Sequence, residues 1–286
     1  MESKDSVLPK TENFVEEKYR SEFLNSLRMK EKMFTFGKSK EMRLLMIFQV
    51  IMVLNFALFF AESIFFKDVS NPNARVSSFQ QNIVSISGLF VSLISLSGFH
   101  QIYSGCVKNS IKRVLDGVKL LNGLYTFLFI LSILGLVLSG FVLLTSFMTS
   151  LTNPYYNGGG RIIIYLLVLI IYIGLVVNTV FIYKVVRFFT VLYENLHPKD
   201  LEYKLETPNA NKLIGFFIIG IASLVLVFLL LIYSLIALPE SVRGAINFST
   251  ILLFYSLIFR FAYLFVLIRV SQAFTMTMKS QDVVNN

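Results

Sequence analysis

The chain of 286 residues has no tryptophan, one cysteine and two histidines. A lone cysteine, Cys106, excludes an internal disulfide and any cysteine-based metal cluster. His100 and His197 stand too far apart in sequence to suggest a metal or haem site. Charge is scarce as well: 15% of residues are charged, against about 25% in globular domains. The scarcity is uneven, with long blocks carrying no charge and crowded segments between them, which is a membrane pattern rather than that of a large soluble core. All six prolines fall in the tail or the connections. Continuous helices are therefore expected, unlike the interrupted ones from which many secondary transporters build midplane sites. The apolar blocks hold no pair of acids for proton coupling and no His-x-x-x-His or Gly-x-Ser-Gly pattern of an intramembrane hydrolase. No cofactor or catalytic residue is expected, and an enzyme is the least favoured class.

What is present is apolar bulk. Hydrophobic residues make up 55% of the chain, Phe alone numbers 29, and the mean hydropathy is +0.70. Without tryptophan, tyrosine must serve as the interfacial aromatic. From Leu120 to Gly160 no residue is charged. Within that stretch, 124–148 is long enough to cross a bilayer, which takes about 20 apolar residues. Asn153 to Gly160 then makes a turn, and Arg161 opens a second apolar run. The same arrangement flanks it on both sides. Six spans are expected: 44–66, 79–103, 124–148, 162–186, 213–237 and 245–268. The second is rich in serine but has no charge between Arg75 and Lys108. The fold class is all-α, a polytopic membrane bundle of six helices arranged as three hairpins, with short amphipathic cytoplasmic helices. Its parts are a polar tail over 1–42, a membrane domain over 43–274 and a short tail over 275–286.

The cations give the orientation. Ten Lys and Arg lie before the first span, four between the second and third, five between the fourth and fifth, and two after the sixth. The opposite side holds only Lys67, Arg75, Arg161 and Arg243. The positive-inside rule thus puts both ends in the cytoplasm, as an even number of spans requires. The net charge of +9 flanks apolar spans, which points to anionic lipid headgroups and not to nucleic acid. The tail has no apolar stretch before about Leu44 for a secretory signal, and Glu12, Glu16, Glu17 and Glu22 argue against a mitochondrial presequence. Val15, Tyr19, Phe23 and Leu27 are spaced for a short amphipathic helix. A partly ordered solvated tail is the simpler reading there.

Each outer turn contains a proline followed by an arginine: Pro72 and Arg75, Pro154 and Arg161, Pro239 and Arg243. Mitochondrial carriers share a three-hairpin layout, with Pro-x-Asp/Glu-x-x-Lys/Arg on the odd helices. Here Pro239-Glu240-Ser241-Val242-Arg243 has another spacing, lies on the outer side and is not repeated, so that family is rejected.

Arg260 is the sharpest candidate for chemistry. At a span centre it costs about 2.5–3.5 kcal/mol on insertion scales. On a helix it shares a face with Ser249, Ser256 and Tyr263, a polar stripe that either lines a pathway for a small solute or anion or bonds neighbouring helices together. Arg269, nine residues on, is about 13 Å away, which is long for snorkelling. Glu62 is no partner, because the two sit at depths differing by roughly 16 Å at 1.5 Å per residue. It lies near the outer interface, where Lys67 or Arg75 is within reach.

Small residues mark packing faces: Ser85, Gly88, Ser92 and Ser95 on the second span, and Ser132, Gly135, Ser139 and Ser146 on the third. Asn55 and Asn178 fit as interhelical glue. After the second span, Val107, Ile111, Val114, Leu115, Val118 and Leu121 share one helical face, with Lys108, Lys112, Arg113 and Lys119 largely off it. That predicts a helix in the headgroup plane with its cations toward anionic lipid. After the fourth span, helical spacing runs to Leu196, before His197-Pro198. Cys106 is placed for palmitoylation but reads more simply as an unmodified thiol. Gly158-Gly159-Gly160 lacks the lysine of a phosphate loop, and Asn247-Phe248-Ser249 is a glycosylation sequon too close to the bilayer for use. The favoured function is a non-enzymatic scaffold, assembly or accessory-subunit role, with a membrane-protein partner or a second copy of the chain as partner. The rival is a channel or facilitative transporter.

Overall fold

The computed structural model describes residues 24, 27–65, 72–152, 160–196, 208–219, 222, 225 and 248–279. Within these, the side chains at 62–63, 65, 72–84, 142–143, 146–147, 149–152, 160–171, 248–257 and 260–261 lie outside the description. The described residues are all-helical, without strands. Seven helices follow one another: α1 (27–37), α2 (Lys40–Phe65), α3 (Pro72–Val107), α4 (Ile111–Thr152), α5 (Gly160–Leu196), α6 (211–219) and α7 (Phe248–Lys279). Four are long and apolar enough to cross a membrane, over Lys40–Ala61, Ser85–Val107, Ile111–Phe141 and Tyr172–Leu196. Each overlaps one of the first four expected spans, the third beginning at Ile111 instead of 124 and the fourth at Tyr172 instead of 162. The expected fifth span is described only at 213–219, 222 and 225, and the expected sixth only from residue 248, within α7.

Neighbours in the bundle are α2 with α3, α3 with α4, α4 with α5, and α2 with α7. The α3–α4 pair meets backbone to backbone. Asn109 takes the left-handed conformation, with φ at 51°. The Ser110 amide donates back to the Gly105 carbonyl at 2.7 Å, closing the turn. Asparagine tolerates this conformation at helix ends better than most residues. The chain thus reverses within three residues, and α4 lies along α3. Two backbones then meet. A Cβ on Gly117 would stand 2.6 Å from the Gly98 carbonyl oxygen and 2.9 Å from the Ile102 amide. One on Gly105 would stand 2.8 Å from the Val114 amide.

This turn corrects the expected surface helix. Residues 111–121 are the first turns of the 42-residue α4. Val114, Val118 and Leu121 are fully buried against protein, so the apolar face meets α3 instead of lipid. Lys108, Lys112, Arg113 and Lys119 are exposed.

The core gathers at this end of the bundle. It combines Met42 and Leu45 of α2, Ile102 and Cys106 of α3, Val114, Val118 and Leu121 of α4, Leu192 and Leu196 of α5, and Phe274 and Met278 of α7. Farther along, α4 presents Ile130, Leu134, Val137, Leu138 and Phe141 on its exposed surface. A soluble protein would not leave such a surface bare. Hydrocarbon covers it without cost.

The polar tail hides a structural element. Met29, Met33 and Phe36 of α1 are buried in the same core, at the i, i+4, i+7 spacing of one helical face. The expected helical face at Val15, Tyr19 and Phe23 lies outside the described residues, and Leu27 is exposed. Three contacts fasten α1. Lys32 Nζ donates to the Met278 carbonyl at the end of α7, at 2.5 Å. Lys38 Nζ donates to Asn109 Oδ1 in the α3–α4 turn, at 2.9 Å. Cys106 Sγ donates to the Met33 carbonyl at 3.5 Å. Ser39 then caps α2, its Oγ accepting from the Met42 amide at 3.2 Å.

The α3–α4 contact is testable by adding one methyl group. Gly117→Ala places it against backbone atoms, which cannot rotate away, and should destabilise the chain by about 1–3 kcal/mol. Gly123→Ala, where a Cβ meets nothing within 4 Å, should be neutral or stabilising by up to about 1 kcal/mol from helix propensity. Thermal unfolding in detergent separates the two.

Candidate functional site

Of the expected polar stripe, Tyr263 is the member whose side chain is described; those of Ser249, Ser256 and Arg260 lie outside the described residues. Tyr263 is half-buried and bonded across the bundle. Gln49 of α2 is 1% exposed, and its Nε2 donates to the Tyr263 hydroxyl at 2.6 Å. Phe48 lies beside them, stacked on Phe259 at 5.4 Å and tilted against Tyr263 at 6.4 Å. The hydroxyl and the amide satisfy each other inside an aromatic cluster that joins α2 to α7. Sequence reading passed over Gln49. Its signal was an amide within the first apolar run, on the same face as Met42 and Leu45.

The small-residue faces are largely spent on packing. Ser85, Ser92 and Ser95 are buried, and Gly88 lies against the Phe56 ring of α2, leaving no room for a Cβ. On α4, Ser132 Oγ hydrogen-bonds Thr179 Oγ1 of α5 at 2.5 Å, and Thr190 Oγ1 donates to Asn122 Oδ1 at 3.3 Å. Tyr125 stacks on Phe189 between them, at 5.6 Å. Gly135, by contrast, has open space around it. The Ser139 hydroxyl turns back to the Leu136 carbonyl of its own helix at 3.0 Å, and the Ser146 side chain is outside the described residues. Asn55 is buried, and its Oδ1 has no hydrogen-bond partner among the described residues. Asn178 is exposed on α5. Cys106 is 0% exposed and lies beneath Gly37, where a Cβ would overlap it. Among the described residues, no three His, Cys, Asp or Glu side chains come together to hold a metal.

One concavity was not foreseen. A cavity of about 120 Å³ opens within the core, among Met33, Phe36, Leu45, Phe188, Phe217 and Phe274. Its walls are apolar apart from Tyr125 and Ser271. No sequence period could announce it, because its walls come from all seven helices. Beside it, between α5 and the start of α6, lies a smaller notch with Lys184, Arg187 and Lys212 on its rim.

Two measurements check these assignments. Tyr263→Phe leaves the Gln49 amide unpaired and should cost about 1 kcal/mol or more. Adding Gln49→Leu to it should recover most of that loss in thermal unfolding. Cys106 in the folded chain should resist a maleimide and react fully once denatured.

Comparison of the chain with protein-family models finds no match, and comparisons with curated proteins and with solved structures find none either.

Proposed function

We propose that this chain is a multi-pass integral membrane protein with a non-enzymatic role as scaffold, assembly factor or accessory subunit. In this reading it has six spans in three hairpins, with both ends in the cytoplasm. The observation that carries it is the Gln49–Tyr263 pair. A tyrosine of the polar stripe is engaged by an amide of the facing helix at 2.6 Å, which supports packing as the stripe's role. Hydrogen bonds between membrane helices contribute about 0.6 kcal/mol on average, enough to fix which faces meet. The long exposed apolar surface of α4 supports a life in contact with lipid or with a partner's helices. The basic residues Lys108, Lys112, Arg113 and Lys119, exposed around the α3–α4 turn, suit anionic headgroups on the cytoplasmic face.

The rival reading, a channel or transporter for a small solute or anion, needs water beside Arg260. Single cysteines replacing Ser256, Arg260 and Tyr263, in a Cys106→Ala background, separate the two. Under the scaffold reading, a membrane-impermeant thiol reagent leaves all three unmodified in intact membranes. Rapid reaction at all three from the aqueous phase would overturn it in favour of a pathway.

A further inference from the structure

Two side chains with hydroxyls line the cavity in the core, Tyr125 of α4 and Ser271 of α7. Ser271 is 7% exposed. Neither hydroxyl has a hydrogen-bond partner among the described residues. A hydroxyl on a helix has an easy partner in the carbonyl one turn back. Thr275 and Thr277 of α7 take it, at 2.9 Å each, and Ser271 does not. The Tyr125 ring is held by its stack on Phe189 at 5.6 Å. A buried polar group left unpaired is unfavourable, so an occupant that pairs with these hydroxyls is held by them.

The rest of the wall says what kind of occupant fits. Among the described residues none that lines the cavity is charged, and an ion buried there would lack a counter-charge. Water is a poor occupant too, since a buried water makes about three hydrogen bonds and these walls offer two hydroxyls. The volume of about 120 Å³ compares with an engineered apolar cavity of about 150 Å³ that stays dry and accepts benzene. Aromatic rings crowd this wall. Phe274 meets Phe36 edge to face at 5.0 Å and Phe188 at 5.2 Å, and a further ring can join such a cluster at centroid distances of about 4.5–7 Å.

We propose that the cavity is a binding site for a small neutral aromatic molecule with one hydrogen-bonding group, the class of a simple phenol. The ring packs among Phe36, Phe188 and Phe274, and the polar group bonds the hydroxyls of Ser271 and Tyr125. The hydroxyls set the specificity, because a purely apolar ring leaves them unpaired and a charged molecule is excluded by the walls. This goes beyond the scaffold reading and does not depend on it.

The test uses the full chain in a neutral detergent at pH 7, titrated with 4-fluorophenol and with fluorobenzene and followed by fluorine NMR. Both probes should give a saturable bound signal distinct from that of probe dissolved in the micelle. The double variant Y125F/S271A removes both hydroxyls and nearly keeps the shape. Its ligand-free Tm should equal or exceed that of the parent, since it deletes groups that have no partner. It should lose at least about tenfold in affinity for 4-fluorophenol, whose own hydroxyl is then buried unpaired, and change less than about threefold for fluorobenzene. Ser271→Leu, which fills the cavity, should abolish both bound signals. The proposal is overturned by the absence of a saturable 4-fluorophenol signal in the parent, or by 4-fluorophenol affinity that is unchanged in the double variant. It is equally overturned by equal losses for the two probes, or by binding that survives in a folded Ser271→Leu chain. Should Ser271→Leu fail to fold, the double variant still decides.

Discussion

Everything at the basic end depends on two backbones touching where Gly117 meets the Gly98 carbonyl. In hydrocarbon there is no hydrophobic force to press helices together, because lipid tails are as apolar as leucine. Dispersion and hydrogen bonds remain, and both need close approach. The glycines supply it between α3 and α4, and Asn109 supplies the reversal that lets the two helices lie side by side. Shift that contact outward and Val114, Val118 and Leu121 lose the neighbours that bury them.

The same contact positions α1. Lys38 reaches Asn109 in the turn, Lys32 reaches the end of α7, and Cys106 meets Met33. A short helix from the polar tail is thereby fastened across the bundle at three points. It brings Met33 and Phe36 to the wall of the apolar cavity. Packing is dense at this end and sparse farther along α4. That gradient suits a helix whose surroundings change from protein core to lipid along its axis.

Much of the architecture was legible in the sequence. Charge-free runs marked the first four spans because a bilayer penalises charge along about 20 residues at a stretch, and no other solvent imposes that length. Buried Ser85, Ser92 and Ser95 followed from their spacing on one helical face. What was not legible is what distant segments decide together. Residues 107–121 have the pattern of a surface helix, and only the Asn109 turn, which brings α3 against them, makes their apolar face a core. Residues 27–37 looked like solvated tail because lysines alternate with Met29, Met33 and Phe36. Gln49 looked incidental until Tyr263, 214 positions away, faced it. The cavity and the basic notch beside it had no local signature at all.

The central claim is that α4 passes from a protein core into hydrocarbon. Spin labels placed one at a time along α4 in a reconstituted bilayer measure this directly, through collisions with dissolved oxygen and with a polar nickel chelate. Labels at Ile130, Leu134, Leu138 and Phe141 should collide freely with oxygen and hardly with the chelate, and labels at Val118 and Leu121 with neither. Frequent collisions with the chelate at Leu134, Leu138 and Phe141 would put that surface in water and contradict the account.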